Sequence, residues 1–349
     1  MATYVYVAAQ DDNKVSIFTM DEASGALTIA GEEPVSGGPS LLAISPDRQT
    51  LYAGHREVPE ITSHRIDQQT GELTQTGSVI PPGQPAFLAT DRTGRFLLSS
   101  YYADGKAAVH PLGDDGSVGG AATCVLDTDT GAHSIQTDHS NRYAYVPHIA
   151  RLQDNVLEPP KNIPGPNIIY QFRFDESSGT LAANDPPTLA QDDMIGPRHL
   201  TYHPSLDIVY FSNEQGCSVS SYTIGEDGAL TPLETVSTLP AGVTERNTCS
   251  QLQFSPDGSL LFVPNRGHNS IASFTVDGEG RLTPADHAAT EAVPSAFSLD
   301  PSGRYVFAAG SATGQLASYS IDGNTGAMTS LGAYAVGERP MWVLTTTLG

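Results

Sequence analysis

Lysine is almost missing from this chain. Lys14, Lys106 and Lys161 are the only three among 349 residues, and Lys and Arg together number 17 against 39 Asp and Glu, a formal net charge of −22. Affinity for a phosphate backbone needs a clustered basic surface, so nucleic acid is not an expected partner. A membrane surface of anionic lipid is excluded on the same ground. Cysteine is scarce: Cys124, Cys217 and Cys249 form no CxxC pair and no even-numbered framework, so neither a disulfide scaffold nor a thiolate metal site is expected. No run of 18 apolar residues occurs, and the opening MATYVYVAAQDD has no basic region followed by a long apolar core. A soluble cytoplasmic protein is the expectation. Charged residues are few overall, at 16%, so an anionic ligand must be held by Arg, His or backbone amides.

Glycine (34) and proline (25) are plentiful, and they recur in step. GGPSLLAISPDRQTLYAGHR (37–56) is echoed by GQPAFLATDRTGRFLLSSYY (83–102), GAHSIQTDHSNRYAYVPHI (131–149), GPRHLTYHPSLDIVYFSNE (196–214), TCSQLQFSPDGSLLFVPNR (248–266) and VPSAFSLDPSGRYVFAAGS (293–311). Pro46, Asp91, His139, Pro204, Pro256 and Pro301 mark equivalent turn positions, separated by 45, 48, 65, 52 and 45 residues. Each unit reads as four strands: an apolar segment, a turn like SPDG, a second apolar segment, a third that alternates, and a fourth after a Gly-rich turn such as TGELTQTG (70–77) or DGALTPLE (227–234). Four strands in about 45 residues is the size of a propeller blade.

Six complete units begin near 38, 84, 132, 197, 249 and 294. Residues 4–31 supply strands two to four of a seventh, and RPMWVLTTT (339–347) supplies its missing first strand. The expectation is therefore an all-β, seven-bladed propeller of four antiparallel strands per blade. It spans residues 1–349 as one domain, with the ring closed by the C-terminal strand joining the N-terminal blade. A closed ring of this kind is expected to be a monomer.

In a propeller the start of the first strand and the end of the second share one face beside the central channel. The starts carry Ser40, Pro85, His133, Arg198–His199, Ser250 and Ser295. The ends carry His55–Arg56, Tyr101–Tyr102, His148, Asn213–Glu214, Asn265–Arg266 and Ala309–Gly310. Histidine, arginine and a carboxylate converging at a channel mouth can move a proton and stabilise developing negative charge. In an acidic chain a local basic centre also focuses an anion. The 65-residue spacing adds one further feature, a long loop at 150–166 after His148. It holds Pro159, Pro160, Pro164 and Pro166 and is expected to form a rim or partial lid at the channel mouth.

GAHS (131–134), GPRHLTYHP (196–204), SNE (212–214), PNRGHNSI (264–271) and YAVGERPMWV (334–343), at this spacing, resemble the seven-bladed lactonase family. That family includes propeller-type 6-phosphogluconolactonases and the fungal 3-carboxy-cis,cis-muconate lactonising enzyme. The resemblance covers nearly the whole chain. It implies a pocket in which His133, Glu214 and Arg266 are catalytic and Arg198 binds substrate, and it implies a lactone as the ligand.

Around that set, His199, Arg56, His148 and Asn265 are the further candidate substrate-binding residues, with Arg151 and Arg246 as additional cations for a phosphate. His133 suits proton transfer near neutrality; Glu214 suits either the base or the group that orients it. The arginines suit a carbonyl oxygen, carboxylate or phosphate. No G-x-S-x-G elbow is present, and neither a metal nor another cofactor is expected, although His133, His199 and Glu214 are of types that bind metal. Hydrolysis of 6-phospho-D-glucono-1,5-lactone is the leading expectation. The alternatives are a non-phosphorylated aldonic or aldaric lactone, a muconate-type cycloisomerisation, and a protein-binding propeller without activity.

Overall fold

A computed structural model describes residues 1–349. The chain forms strands and turns and no helix, hence none long and apolar enough to cross a membrane. Seven antiparallel sheets follow one another. Blade 1 pairs Ala2–Ala9, Lys14–Met20 and Leu27–Pro34 with the C-terminal strand Pro340–Leu348, which lies against Ala2–Ala9 from Ala2↔Leu348 to Ala9↔Pro340. Blades 2 to 7 begin at Pro39, Phe87, Gln136, Pro197, Thr248 and Pro294, and each runs outward in chain order.

Ring closure is visible in the packing. There are seven apolar clusters, and each lies between two neighbouring blades: 1 and 2, 2 and 3, and so on round to 7 and 1. The period-2 alternation of a strand divides its side chains between the two faces. In blade 2, Leu51 and Ala53 pack toward blade 1 while Tyr52 packs toward blade 3. In blade 6, Leu261 and Val263 face blade 5 while Leu260 and Phe262 face blade 7. Second strands are therefore apolar on both faces and fully buried, as LYA and LFV already indicate in the sequence.

A recurring tyrosine ties blade to blade. The hydroxyls of Tyr6, Tyr52 and Tyr145 donate to the carbonyls of Gly71, Gly116 and Gly228, each in the last turn of the next blade, at 2.8–2.9 Å. Those turns need glycine for two reasons. Gly71 and Gly228 have φ of +73° and +75°, and a Cβ would sit 2.5 Å and 2.1 Å from the rings of Tyr4 and Tyr143.

Two first strands are broken, and both border the channel mouth. Blade 4 keeps only Gln136–Thr137, and blade 6 is split into Thr248–Cys249 and Gln253–Phe254. The loop at 150–166 carries its own small hairpin, Arg151–Leu152 with Ile163–Pro164, between the second and third strands of blade 4.

Candidate active site

Strand alternation decides which of the expected residues meet. At the end of each second strand, His55, Tyr101, His148, Asn213 and Asn265 occupy one column and point into the blade. His55 Nε2 lies 2.8 Å from Thr62 Oγ1, and the Tyr101 hydroxyl 3.2 Å from His110 Nε2. Asn213 Nδ2 donates to Ser218 and Ser220 at 2.8 Å. The next column, Arg56, Tyr102, Glu214, Arg266 and Ser311, turns into the channel and lines a cavity of about 1080 Å³ at its mouth.

Two expectations are corrected by this phase. His148 is fully buried within blade 4, with Nδ1 3.1 Å from the Val146 carbonyl and Nε2 3.1 Å from Thr128 Oγ1. Asn265 is fully buried, and its Oδ1 accepts from Thr238 Oγ1 at 2.8 Å and Asn247 Nδ2 at 3.0 Å. Neither lines the cavity; a residue one place out of step on a strand faces the opposite way.

At the floor, blades 4, 5 and 6 bring His133, Arg198, His199, Glu214 and Arg266 together. Glu214, 4% exposed, is the hub. Its Oε2 lies 2.9 Å from Arg198 Nε and 4.0 Å from His133 Nε2, and its Oε1 lies 3.2 Å from Arg266 Nη2. Both guanidiniums are held a second time by backbone: Arg198 Nη1 donates to the Ser250 carbonyl at 2.9 Å and Arg266 Nη2 to the Cys249 carbonyl at 2.8 Å. The break in the first strand of blade 6 exposes those carbonyls to side chains. Arg266 Nε and His133 Nδ1 are buried with no partner. His199 lies beneath, its ring 5.2 Å from that of His133 and edge-on to Phe87 at 5.1 Å, with Trp342 at 6.1 Å. His133, His199 and Glu214 do not assemble into a metal-binding group.

Burial, and then the Arg198 charge, hold the His133 and His199 imidazoles well below their usual 6.5. Burial and the neighbouring Arg266 push Arg198 down to about 9. Arg56, on the far side of the mouth, is pushed down to about 10 by burial, Arg339 and Arg266. At neutral pH the site thus combines uncharged imidazoles with charged guanidiniums, of which Arg198 and Arg266 share one carboxylate.

The blade 4 insertion roofs this floor: residues 153–158 and Lys161 line the cavity. Gln153 N donates to the Tyr102 hydroxyl at 2.8 Å. Arg246, from the loop before blade 6, pairs with the buried Asp154 carboxylate and donates to the Glu158 carbonyl. Arg246 is therefore engaged as a latch and is not a free cation for a ligand. Arg151 contacts Met194 Sδ at 4.0 Å and lines a separate small cavity. Besides Tyr102, the cavity recruits Gln251 and Trp342. Trp342 lies in the PMWV segment, but its role as floor depends on how the C-terminal strand closes the ring.

The family described as "Lactonase, 7-bladed beta-propeller" matches residues 3–345. A protein of Pectobacterium carotovorum named 6-phosphogluconolactonase is 32% identical over 345 residues, 98% of each chain. One of the same name from Yersinia pestis is 33% identical over 346 residues, again 98% of each. Among solved structures, a periplasmic gluconolactonase of Pseudomonas aeruginosa superposes over the full length of both chains with a TM-score of 0.89 at 23% identity. A putative 6-phosphogluconolactonase of Bacteroides fragilis does so with 0.86 at 20% identity, over 99% of this chain and 98% of that one.

Proposed function

The chain belongs to the seven-bladed β-propeller lactonase family, and from that premise we propose that it opens 6-phospho-D-glucono-1,5-lactone to 6-phosphogluconate. That it is a lactone-hydrolysing enzyme follows from the family. The finer reading rests on one observation. Four arginines, Arg56, Arg198, Arg266 and Arg339, line one cavity with a single buried glutamate and two neutral histidines, in a chain that is otherwise strongly acidic. The names of the full-length relatives support the same substrate.

Hydrolysis of a ring ester needs a water, a proton acceptor, and donors for the oxyanion of the tetrahedral intermediate. In this reading His133 takes the proton from the attacking water. Its imidazole is neutral and lines the cavity. Glu214, 4.0 Å from the ring, stabilises the imidazolium that forms. Both Glu214 oxygens already face guanidiniums. Arg266 and Arg198, which line the cavity, supply the donors for the oxyanion. His133 then returns its proton to the ring oxygen as the C–O bond breaks. His199 keeps the His133 ring in place. We assign the work to a monomer in the cytoplasm: every blade face is covered by a neighbouring blade, and a charged sugar phosphate does not cross a bilayer unaided.

A lactone panel, corrected for spontaneous hydrolysis, tests this. The phosphorylated 1,5-lactone should give a higher kcat/KM than free glucono-1,5-lactone. His133→Ala, Glu214→Gln and Arg266→Ala should each lose about 100-fold or more on the best substrate. Variants that match the parent would remove the site from consideration.

A further inference from the structure

One cation at the cavity has no partner. Arg198 and Arg266 grip Glu214, Arg339 stands 3.6 Å from Asp11, and Lys161 donates to Gln153 at 2.9 Å. Arg56 is bonded through its main chain alone: its amide donates to the Gly38 carbonyl at 3.0 Å, and its carbonyl accepts from the Gln84 side chain. Its guanidinium lines the cavity, half-buried, among like charges from Arg266 and Arg339. The chain has 39 acidic residues to 17 basic ones, yet none pairs with this arginine. The two other carboxylates at the cavity without a cation of their own, Glu158 and Glu338, are exposed at the rim. An inward arginine left unmatched in a low-dielectric pocket weakens the folded state unless an anion occupies the place.

Its position points to the end of the substrate that carries the anion. Arg56 ends the second strand of blade 2, and Arg198 and Glu214 belong to blade 5. Three steps around a ring of seven put them on opposite sides of the mouth. A six-carbon sugar lactone with its carbonyl against Arg198, Glu214 and Arg266 directs the other end of the molecule, C6, across the channel. We propose that Arg56 is the residue that selects lactones bearing an anionic group at C6, binding that group while the arginines paired to Glu214 serve the ester. This rests on the lactonase reading above and deepens it. Phosphate ester and carboxylate share the chemistry that a guanidinium fork recognises.

The test compares the parent with Arg56→Gln and Arg56→Lys on three substrates: glucono-1,5-lactone, its 6-phosphate, and a glucaric acid lactone that carries a carboxylate at C6. Losing one charged hydrogen-bonding partner should lower the ratio of kcat/KM for the charged over the free lactone by about 10- to 100-fold in Arg56→Gln. Arg56→Lys, which keeps the charge without the fork, should fall between and covers the case in which the glutamine variant does not fold. A fall with the phosphate identifies that anion. A fall with the carboxylate alone upholds the subsite and removes the 6-phosphate reading of the preceding section. Unchanged ratios, whatever the absolute rates, overturn the proposal. Calorimetric binding of 6-phosphogluconate against gluconate needs no turnover, so it tests Arg56 even if lactone hydrolysis itself fails. The parent should favour the phosphorylated acid and Arg56→Gln should not; equal preference in both proteins overturns the assignment.

Discussion

Glu214→Gln removes one negative charge and almost no volume from the floor of the cavity. The carboxylate lies 2.9 Å from Arg198 and 3.2 Å from Arg266 and is 4% exposed. Its loss leaves two buried guanidiniums facing each other, with Arg56 adding a third like charge. Removing one member of a buried ion pair costs about 3–5 kcal/mol, because the remaining charge has been taken out of water and lacks its partner. Unfolding entropy of about 2.1 cal/mol/K per residue, over this length, is about 0.7 kcal/mol/K, so the melting temperature should drop by roughly 4–7 °C. The excess positive charge should also make the variant respond to anions. Inorganic phosphate at ten times its dissociation constant would restore about 1.4 kcal/mol, close to 2 °C. Calorimetric or spectroscopic melts with and without phosphate, at constant ionic strength, read both effects. A variant that melts with the parent, or that is no more phosphate-sensitive than the parent, would show that Glu214 does not hold the arginines together.

Three further outcomes follow from the same geometry. His133→Ala should abolish the acidic limb of the kcat/KM profile, which in the parent should have its midpoint below 6.5, because burial and Arg198 favour the neutral ring; an unchanged limb would put the proton on another group. Arg246→Ala leaves Asp154 buried without its partner. Amide exchange across residues 153–158 should then quicken by about 10-fold or more while the blade strands stay protected, and equal protection in both proteins would mean the latch holds nothing. His64, His110 and His148 are held near 4 by burial, so the unfolded chain, with values near 6.5, takes up their protons first as the pH falls. The stability they contribute is complete above about pH 6.5 and drains away toward pH 4. About 2 kcal/mol per ring is gone at pH 5, and a melting temperature equal at pH 7 and pH 5 would contradict their burial as neutral rings.

Much of the fold can be read from local pattern. The turns at Pro46, Asp91, Pro204, Pro256 and Pro301 punctuate strands whose apolar runs are packed on both faces, and RPMWVLTTT can only complete the incomplete N-terminal unit. The site was legible in part. Arg56, His133, Arg198, His199, Glu214 and Arg266 do line one cavity. His148 and Asn265 were placed there because they end second strands, and they do not line it. The phase was present in the repeats: His148 aligns with His55, Asn213 and Asn265, one place before the column of Arg56, Tyr102, Glu214 and Arg266 that faces the channel. Arg246, Asp154 and the Cys249 and Ser250 carbonyls carry no such signal. Asp154 and Arg246 lie 92 positions apart in different loops, and a carbonyl is the same in every residue.

Sequence alone determined the number of blades, the closure of the ring and the side of the ring on which chemistry gathers. These follow from periodicity, turn chemistry and composition, which are local or repeat at a fixed interval. Tertiary structure alone decided which charges are matched. Glu214 is shared by Arg198 and Arg266, Arg246 is spent on Asp154, and Arg56 is left free. Pairing depends on distances of a few ångströms between blades remote in sequence, and on burial that raises the worth of each charge, and neither is written in the order of the residues.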